Sequence, residues 1–281
     1  MTGMKRVGHA GTLDPEAAGV LPIMIGKATR LFDYLTDKAK EYEAVIAFGS
    51  STDTQDATGC VIETGDRWPD RDILRHAADQ LTGDIVQIPS MFSAIKVNGE
   101  PLYRKARKGE RVSVPERTVH IEKIDIVSET PDHGFIIRVK CGKGTYIRTL
   151  CDDLGKICGC PAHMRSLLRI RSGMFQIDDA LPLDEAKRLA AENRLFEKLL
   201  PPDFALSHLL PVTLPPQMAK QVKNGAKIPV YDDIKMLNDG QHVRIYLGDR
   251  FWGIAEKQGD VLLWKVLIDP EDKPKETGKC E

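Results

Sequence analysis

The chain has 281 residues, of which 42% are apolar and 29% charged. That is long enough for one large or two modest domains with a real core, and too apolar for wholesale disorder. Its 40 Lys+Arg balance 41 Asp+Glu to a net charge of −1, so any pull toward nucleic acid has to come from local patches.

In chain order, residues 8–29 are rich in glycine and proline and read as irregular backbone rather than helix. Tyr42, Ala44, Ile46 and Phe48 alternate with Glu43, Val45 and Ala47, the pattern of a strand with one strongly apolar face. Ile73, Leu74, Ala77, Ala78 and Leu81 recur at helical spacing, and Gly83-Asp84 breaks that helix into a strand over 85–88. Val119 and Ile121 alternate, but Ile124 and Ile126 continue out of phase, which predicts a bulge. A strand over 135–141 turns through Gly142–Gly144 into a helix over 146–158. Short strands and irregularly interspersed helices indicate an α+β fold rather than regular βαβ winding.

Pro201-Pro202 and Pro215-Pro216 bracket a stretch with little patterning, read as a linker. Beyond it, strands over 242–247, 251–257 and 261–268, joined by Gly248-Asp249 and Gly259-Asp260, predict a small barrel or hairpin stack. The polar residues 271–281 are expected to fray. No internal repeat or low-complexity tract is present. The longest uncharged stretch, 204–219, carries Pro211, Pro215 and Pro216 and is no spanning helix. Lys5 and Arg6 precede no apolar run, so no secretory signal is read and the cytoplasm is the expected compartment. Of the six cysteines (Cys60, Cys141, Cys151, Cys158, Cys160, Cys280), Cys158 and Cys160 stand too close for a zinc knuckle. Buried reduced thiols are expected.

The densest motif is Gly8-His9-Ala10-Gly11-Thr12-Leu13-Asp14-Pro15, followed by Gly19-Val20-Leu21-Pro22. Pro15 forces Asp14 into extended backbone, and on composition alone Asp14 is a turn or capping residue. Neither a Walker nor a dinucleotide spacing is present. Further on come Lys40-Glu41-Tyr42 and Asp53-Thr54-Gln55-Asp56-Ala57-Thr58-Gly59. Pro89-Ser90-Met91-Phe92-Ser93-Ala94-Ile95-Lys96-Val97-Asn98-Gly99 and Gly144-Thr145-Tyr146-Ile147-Arg148-Thr149-Leu150 complete the set. Together, in this order, they resemble the bacterial tRNA pseudouridine synthase B family, which isomerises uridine 55 in the T loop of tRNA.

The resemblance implies a catalytic domain over 1–205, with a mixed, largely antiparallel sheet and helices and loops around a central cleft. It implies a β-rich, PUA-like RNA-binding domain over 206–281. Family members usually begin with a strand, a Lys-Pro-x-Gly-x-Thr-Ser motif and a helix. Only seven residues precede the Gly-His segment here, so the sequence is expected to lack that strand and helix, either through truncation or start-site choice or because they are truly missing. Isomerisation breaks the glycosidic bond, turns the uracil and rejoins ribose to C5, without net redox change or water. No cofactor and no metal are therefore expected. It needs a nucleophile or base, a counter-charge and a pocket for the detached base. The resemblance gives the first role to Asp14 and the counter-charge to Arg148. It puts Tyr42 against the uracil, Tyr146 and Leu167 in the same pocket, and His9 in the space left by a flipped nucleotide. By residue type alone, Arg148 is a solvated charge, Leu167 and Tyr42 are core, and His9 is a loop histidine.

Basic clusters are the candidate phosphate contacts: Lys105, Arg107 and Lys108 with Arg104 and Arg111, and Arg165 and Arg169 with Arg171. The expected partner is the T arm of tRNA, bound by a monomer without any membrane, with an accessory tRNA-folding role also open. Two other functions fit parts of the chain. A non-catalytic RNA binder needs only the basic clusters. A carboxylate glycosidase or nucleoside hydrolase needs a second acid beside Asp14, for which Asp53, Asp56, Asp152 and Asp153 are available.

Overall fold

The computed structural model describes residues 1–36, 38–97, 99–110, 112–231 and 234–268. Arg111, Cys280, Asn98 and the polar tail over 271–281 lie outside the described residues. From the N-terminus the strands are β1 (Val7–His9), β2 (Ala18–Gly19), β3 (Ile23–Ile25), β4 (Lys40–Phe48), β5 (Ser50–Thr52) and β6 (Val61–Thr64), with α1 (Phe32–Thr36) before β4 and α2 (Arg71–Gln80) after β6. Then follow β7 (Gly83–Gln87), β8 (Lys96–Val97), β9 (Glu100–Pro101), α3 (Leu102–Arg107), β10 (Arg117–Glu129), β11 (Phe135–Cys141), α4 (Ile147–Cys158), β12 (Ala162–Ser172) and β13 (Phe175–Gln176). The remainder is α5 (Leu183–Ala191), β14 (Leu210–Leu214), α6 (Ala219–Lys223), β15 (Ile228–Pro229), β16 (His242–Leu247), β17 (Arg250–Gln258) and β18 (Val261–Leu267). None of the described helices is long and apolar enough to cross a membrane.

Two compact units emerge. The first comprises Leu13–Val20 and Asp37–Ala180, and the second Met1–Thr12, Leu21–Thr36 and the chain from Leu181 onward. The first unit is built on a mixed sheet ordered β13-β12-β4-β11-β10-β7, with β2 lying parallel to β12. The expected α+β character therefore holds. In β4, Tyr42, Ala44 and Ile46 are buried on one face, as alternation requires. The Asp70 carboxylate caps α2 by accepting from Asp72 N (2.9 Å) and Ile73 N (2.8 Å), and the helix buries Leu74, Ala77 and Ala78. In α4, Ile147, Leu150, Cys151 and Leu154 join the same core, and Gly159 ends the helix in the left-handed region at φ 65°. Gly155 lets α4 lie directly on β12, because a Cβ there would meet Ala162 and the Cys160 carbonyl. The bulge expected near 121–126 is present: β10 shifts register against β11 between Ile121 and Lys123 and again between Ile126 and Ser128.

The second unit has a sheet ordered β14-β16-β17-β18-β15. Val212, Val243, Ile245, Trp252 and Leu262 fill one of its cores. Leu31 packs with Leu206, Phe251, Ile254 and Val266 in another. The linker expected between the proline pairs is not a linker. Its Leu210–Leu214 forms β14, parallel to β16, and buries Val212 and Leu214, while Ala205 and Leu206 are also buried. The thiol expectation needs one correction. Cys141, Cys151 and Cys160 are buried and Cys158 half-buried, but Cys60 is exposed. Burial pushes the Cys141 and Cys158 thiols up to about 11, so both stay protonated.

Candidate active site

Asp14 sits in a loop of the first unit whose shape is fixed by its neighbours. Ala17 N donates to the Asp14 carbonyl at 2.9 Å, closing a turn over Pro15. Beyond it, β2 runs beside β12, with Gly19 opposite Arg169. Gly19 has φ +110°, and a Cβ there would strike the Arg169 backbone, so only glycine lets the loop come this close. The Asp14 side chain keeps 39% of its surface exposed, enough for a substrate to reach it.

Arg148 is the second residue of α4, and its side chain is only 8% exposed. Nη2 donates to Asp14 Oδ1 at 3.2 Å and to the Phe92 carbonyl at 3.2 Å. Nη1 donates to the Thr54 carbonyl at 3.1 Å and lies 3.4 Å from Asp56 Oδ2. Nε stands 2.8 Å from Asp14 Oδ2, yet its N–H is not aligned on that oxygen, so this contact is an ion pair rather than a hydrogen bond. The guanidinium thus bridges two carboxylates and two backbone carbonyls, a rigid fork that a lysine could not reproduce.

Asp56 is held from the far side. Its Oδ1 accepts from Thr54 Oγ1 (2.7 Å), Thr58 N (3.0 Å) and Thr58 Oγ1 (2.6 Å). Burial works against its charge, but these hydrogen bonds and Arg148 outweigh it and hold the carboxyl below its usual value. Gln55, at φ +64°, turns the loop back so that Thr54 and Asp56 both face Arg148. Its side chain is anchored on α4, accepting from Thr149 Oγ1 at 2.8 Å and donating to Asp152 Oδ2 at 3.1 Å.

Two tyrosines stand by the pair. Tyr42 on β4 is 8% exposed, and burial raises its hydroxyl, opposed mainly by the nearby Arg169 charge, so it is a neutral O–H at physiological pH. Asp14 is close enough to raise it further. Tyr146 caps the start of α4, with the Arg117 guanidinium 5.5 Å from its ring centroid. Burial raises this hydroxyl too, against the Arg117 and Arg148 charges. Ser93 is buried near that hydroxyl without a well-formed hydrogen bond. Leu167 lies on β12 opposite Ala44 and is 9% exposed.

Asp14, Arg148, Tyr42 and Tyr146 therefore gather around one carboxylate, with Leu167 in the core of the same unit. His9 belongs to the second unit, exposed on β1 opposite Ile23 of β3. Lys105 and Arg107 lie in the last turn of α3 with Lys108 at its cap, Lys108 pairing with Glu100 at 3.0 Å. Arg165 pairs with Asp132 at 2.6 Å while remaining partly exposed. Arg169 departs from expectation. It is 1% exposed, with Nε donating to the Val20 carbonyl at 2.7 Å, so it is an interior residue rather than a surface phosphate contact. The Asp56–Arg148 pair and the anchoring by Gln55 were not read from sequence. The signal available was the motif at 53–59, whose dense Asp and Thr also have the composition of a turn and do not reveal a partner. Among the described residues, no three His, Cys, Asp or Glu side chains gather at metal-holding distances.

Comparison with known proteins adds a second line of observation. The sequence matches the family described as TruB family pseudouridylate synthase (N terminal domain) over residues 1–147, and the tRNA pseudouridylate synthase B C-terminal domain over residues 148–207. It is 40% identical to the tRNA pseudouridine synthase B of Bacillus subtilis strain 168 over 248 residues, covering 86% of this chain and 80% of that one. Against the same enzyme of Staphylococcus aureus strain JH9 it is 45% identical over 231 residues, covering 79% and 76%. Among solved structures, a chain from the crystal structure of a Cbf5-Nop10-Gar1 complex superposes with a TM-score of 0.68 at 25% identity, covering 96% of this chain and 78% of the other.

Proposed function

The chain belongs to the TruB family of pseudouridylate synthases, and from that premise we propose that its target is uridine 55 in the T loop of tRNA, with Asp14 as the reacting group. The isomerisation of uridine in tRNA to pseudouridine is the activity of this enzyme. The finer reading rests on one observation: an accessible carboxylate, Asp14, is clamped by the buried guanidinium of Arg148 beside two half-buried or buried tyrosines.

The roles follow from that arrangement. Arg148 balances the charge of Asp14 and fixes its orientation, so the carboxylate needs no reorganisation when ribose arrives. Asp14 acts on the nucleotide, by attack at C1′ or C6 or by taking the C2′ proton. Tyr42 offers a ring face to the uracil and a neutral hydroxyl beside it. Tyr146 and Leu167 line the pocket, and the target base enters it flipped from the loop, with His9 occupying the vacated space. The C1′–N1 bond breaks, uracil turns, C1′ joins C5, and the proton from C5 is lost while N1 gains one. Residues 1–205 serve as the catalytic domain and 206–281 as the RNA-binding module. Lys105, Arg107, Lys108 and Arg165 contact phosphates, and the enzyme works as a cytoplasmic monomer.

A hydrolase reading loses its second acid. Asp56 is held ionised by Thr54, Thr58 and Arg148, the opposite of what a general acid needs. Asp152 and Asp153 pair with Lys156 at 2.7 and 3.0 Å, so although burial raises the Asp153 carboxyl its partner is Lys156 rather than Asp14, and Asp53 accepts from Cys60 N at 2.8 Å. A purely RNA-binding role leaves the clamped, accessible Asp14 without purpose. The deciding experiment is tritium release from a T-arm stem-loop carrying 5-tritiated uridine. Release with no free uracil is expected. Free uracil would establish hydrolysis, and release only from RNA lacking the T arm would move the target elsewhere in tRNA.

A further inference from the structure

Among the described residues, Arg169 is the most buried charged residue, at 1% exposure. Taking a guanidinium out of water costs several kcal/mol unless its surroundings compensate, and an apolar residue of similar volume is often the more stable choice. Its position beside the reacting loop makes its placement meaningful. Val20, at the end of that loop, is gripped twice by this one residue: Val20 N donates to the Arg169 carbonyl at 2.9 Å, and Arg169 Nε donates to the Val20 carbonyl at 2.7 Å. Gly19 lies so close to the Arg169 backbone that no side chain fits between them. On the neighbouring strand, Tyr42 is the register partner of Arg169, and the guanidinium lies within hydrogen-bonding reach of the Tyr42 hydroxyl.

We infer that Arg169 is a positioning residue for pseudouridine formation, locking the Asp14 loop and the Tyr42 hydroxyl to one another through a single buried guanidinium. This rests on the reading of Asp14 and Tyr42 as working parts of the site. Arg169 does not touch the nucleotide. It sets the spacing between the carboxylate that acts on the nucleotide and the group that faces uracil, which different elements supply. A misplacement of about 1 Å in such a site costs on the order of 100-fold in rate.

The test compares wild type, Arg169→Met, Arg169→Lys and Tyr42→Phe, with the double variants, in single-turnover tritium release at saturating T-arm stem-loop. RNA affinity is measured by filter binding and folding by circular dichroism. Arg169→Met is expected to lose about 100-fold in rate, with RNA affinity changed less than about threefold, a smaller effect than loss of a phosphate contact gives. Arg169→Lys, which can hold only one of the two partners, should fall between wild type and Arg169→Met. Tyr42→Phe should cost far less in either Arg169 background than in wild type, because the hydroxyl is already unheld. Should Arg169→Met fail to fold, the Lys variant and its double mutant carry the same test. Weakened RNA binding with an unchanged rate would make Arg169 a phosphate contact and overturn the inference. So would strictly additive losses with Tyr42→Phe. If wild type releases tritium from another tRNA uridine instead, the T-loop reading falls, and the same variants on that RNA still decide Arg169.

Discussion

Gln87 and Tyr146 exchange two hydrogen bonds: Tyr146 N donates to Gln87 Oε1 at 3.0 Å, and Gln87 Nε2 donates to the Tyr146 carbonyl at 3.2 Å. One fully buried amide thereby secures the backbone at the entrance of α4, the helix that carries Arg148. The Tyr146 carbonyl also accepts from Leu150 N at 3.0 Å, so the N–H of Tyr146 depends most on Gln87. Gln87→Leu keeps the volume and orphans that donor. It should cost about 1–3 kcal/mol in urea denaturation. An unchanged midpoint would mean that the amide holds nothing essential.

Asp14→Asn should abolish tritium release while leaving RNA affinity near wild type, since the amide has nearly the same shape and cannot act as nucleophile or base. Loss of one partner of the Arg148 ion pair also leaves a buried charge less compensated, so a lower melting temperature is expected alongside. Turnover above background in single-turnover conditions would remove Asp14 from the chemistry.

Tyr42→Phe preserves the ring and removes the hydroxyl, whereas Tyr42→Leu removes both. The first should lose most of the rate and little affinity. The second should also weaken engagement of the base, by about 1–3 kcal/mol for a lost stack. Wild-type rates in the Phe variant would reduce Tyr42 to a platform.

Lys105, Arg107 and Lys108 changed together to Gln should flatten the dependence of log affinity on log salt, by about 0.7–0.9 per lost phosphate contact. Single-turnover rate at saturating RNA should change little. The change also frees Glu100 from Lys108, and that local negative charge should add to the loss. A salt series with an unchanged slope would clear this face of RNA and leave Arg165 and the 206–281 region to supply the contacts.

Asp56 gives a pH signature. Its folded-state pKa lies below the unfolded value of 3.8, so its ionised form adds stability that is present above that value and lost as pH falls toward the depressed one. Asp56→Asn should therefore melt below wild type at neutral pH, and the two curves should converge on acidification. A gap that persists at the lowest pH would point to lost packing rather than lost charge.

The parts of the fold legible in the sequence are those with one clean apolar face. β4, β11, α2 and α4 each present a single periodicity, and each forms nearly where that periodicity starts and stops. β12 escaped because two register shifts against β4 break its alternation, and because it carries Arg165, Arg169 and Arg171, which read as a basic cluster for phosphates. β14 escaped because Pro211 and the flanking proline pairs mimic a linker, and its parallel partner lies some thirty residues further along. At the site, Asp14 and Arg148 were reached through ordered motifs. Asp56, Gln55 and Gln87 act only through contacts made in three dimensions, and a buried arginine looks in sequence like any other.

Asp14 and Arg148 are 134 positions apart, and synthesis delivers them in that order. At roughly 5–20 residues per second, the aspartate leaves the ribosome on the order of ten seconds before its partner. β12, against which its loop must lie, is made later still. A nascent chain therefore carries the Asp14 carboxylate through about half of its synthesis without the guanidinium that orients it. Competence toward tRNA arrives only with the late strands, when long-range closure joins the two ends of the first unit.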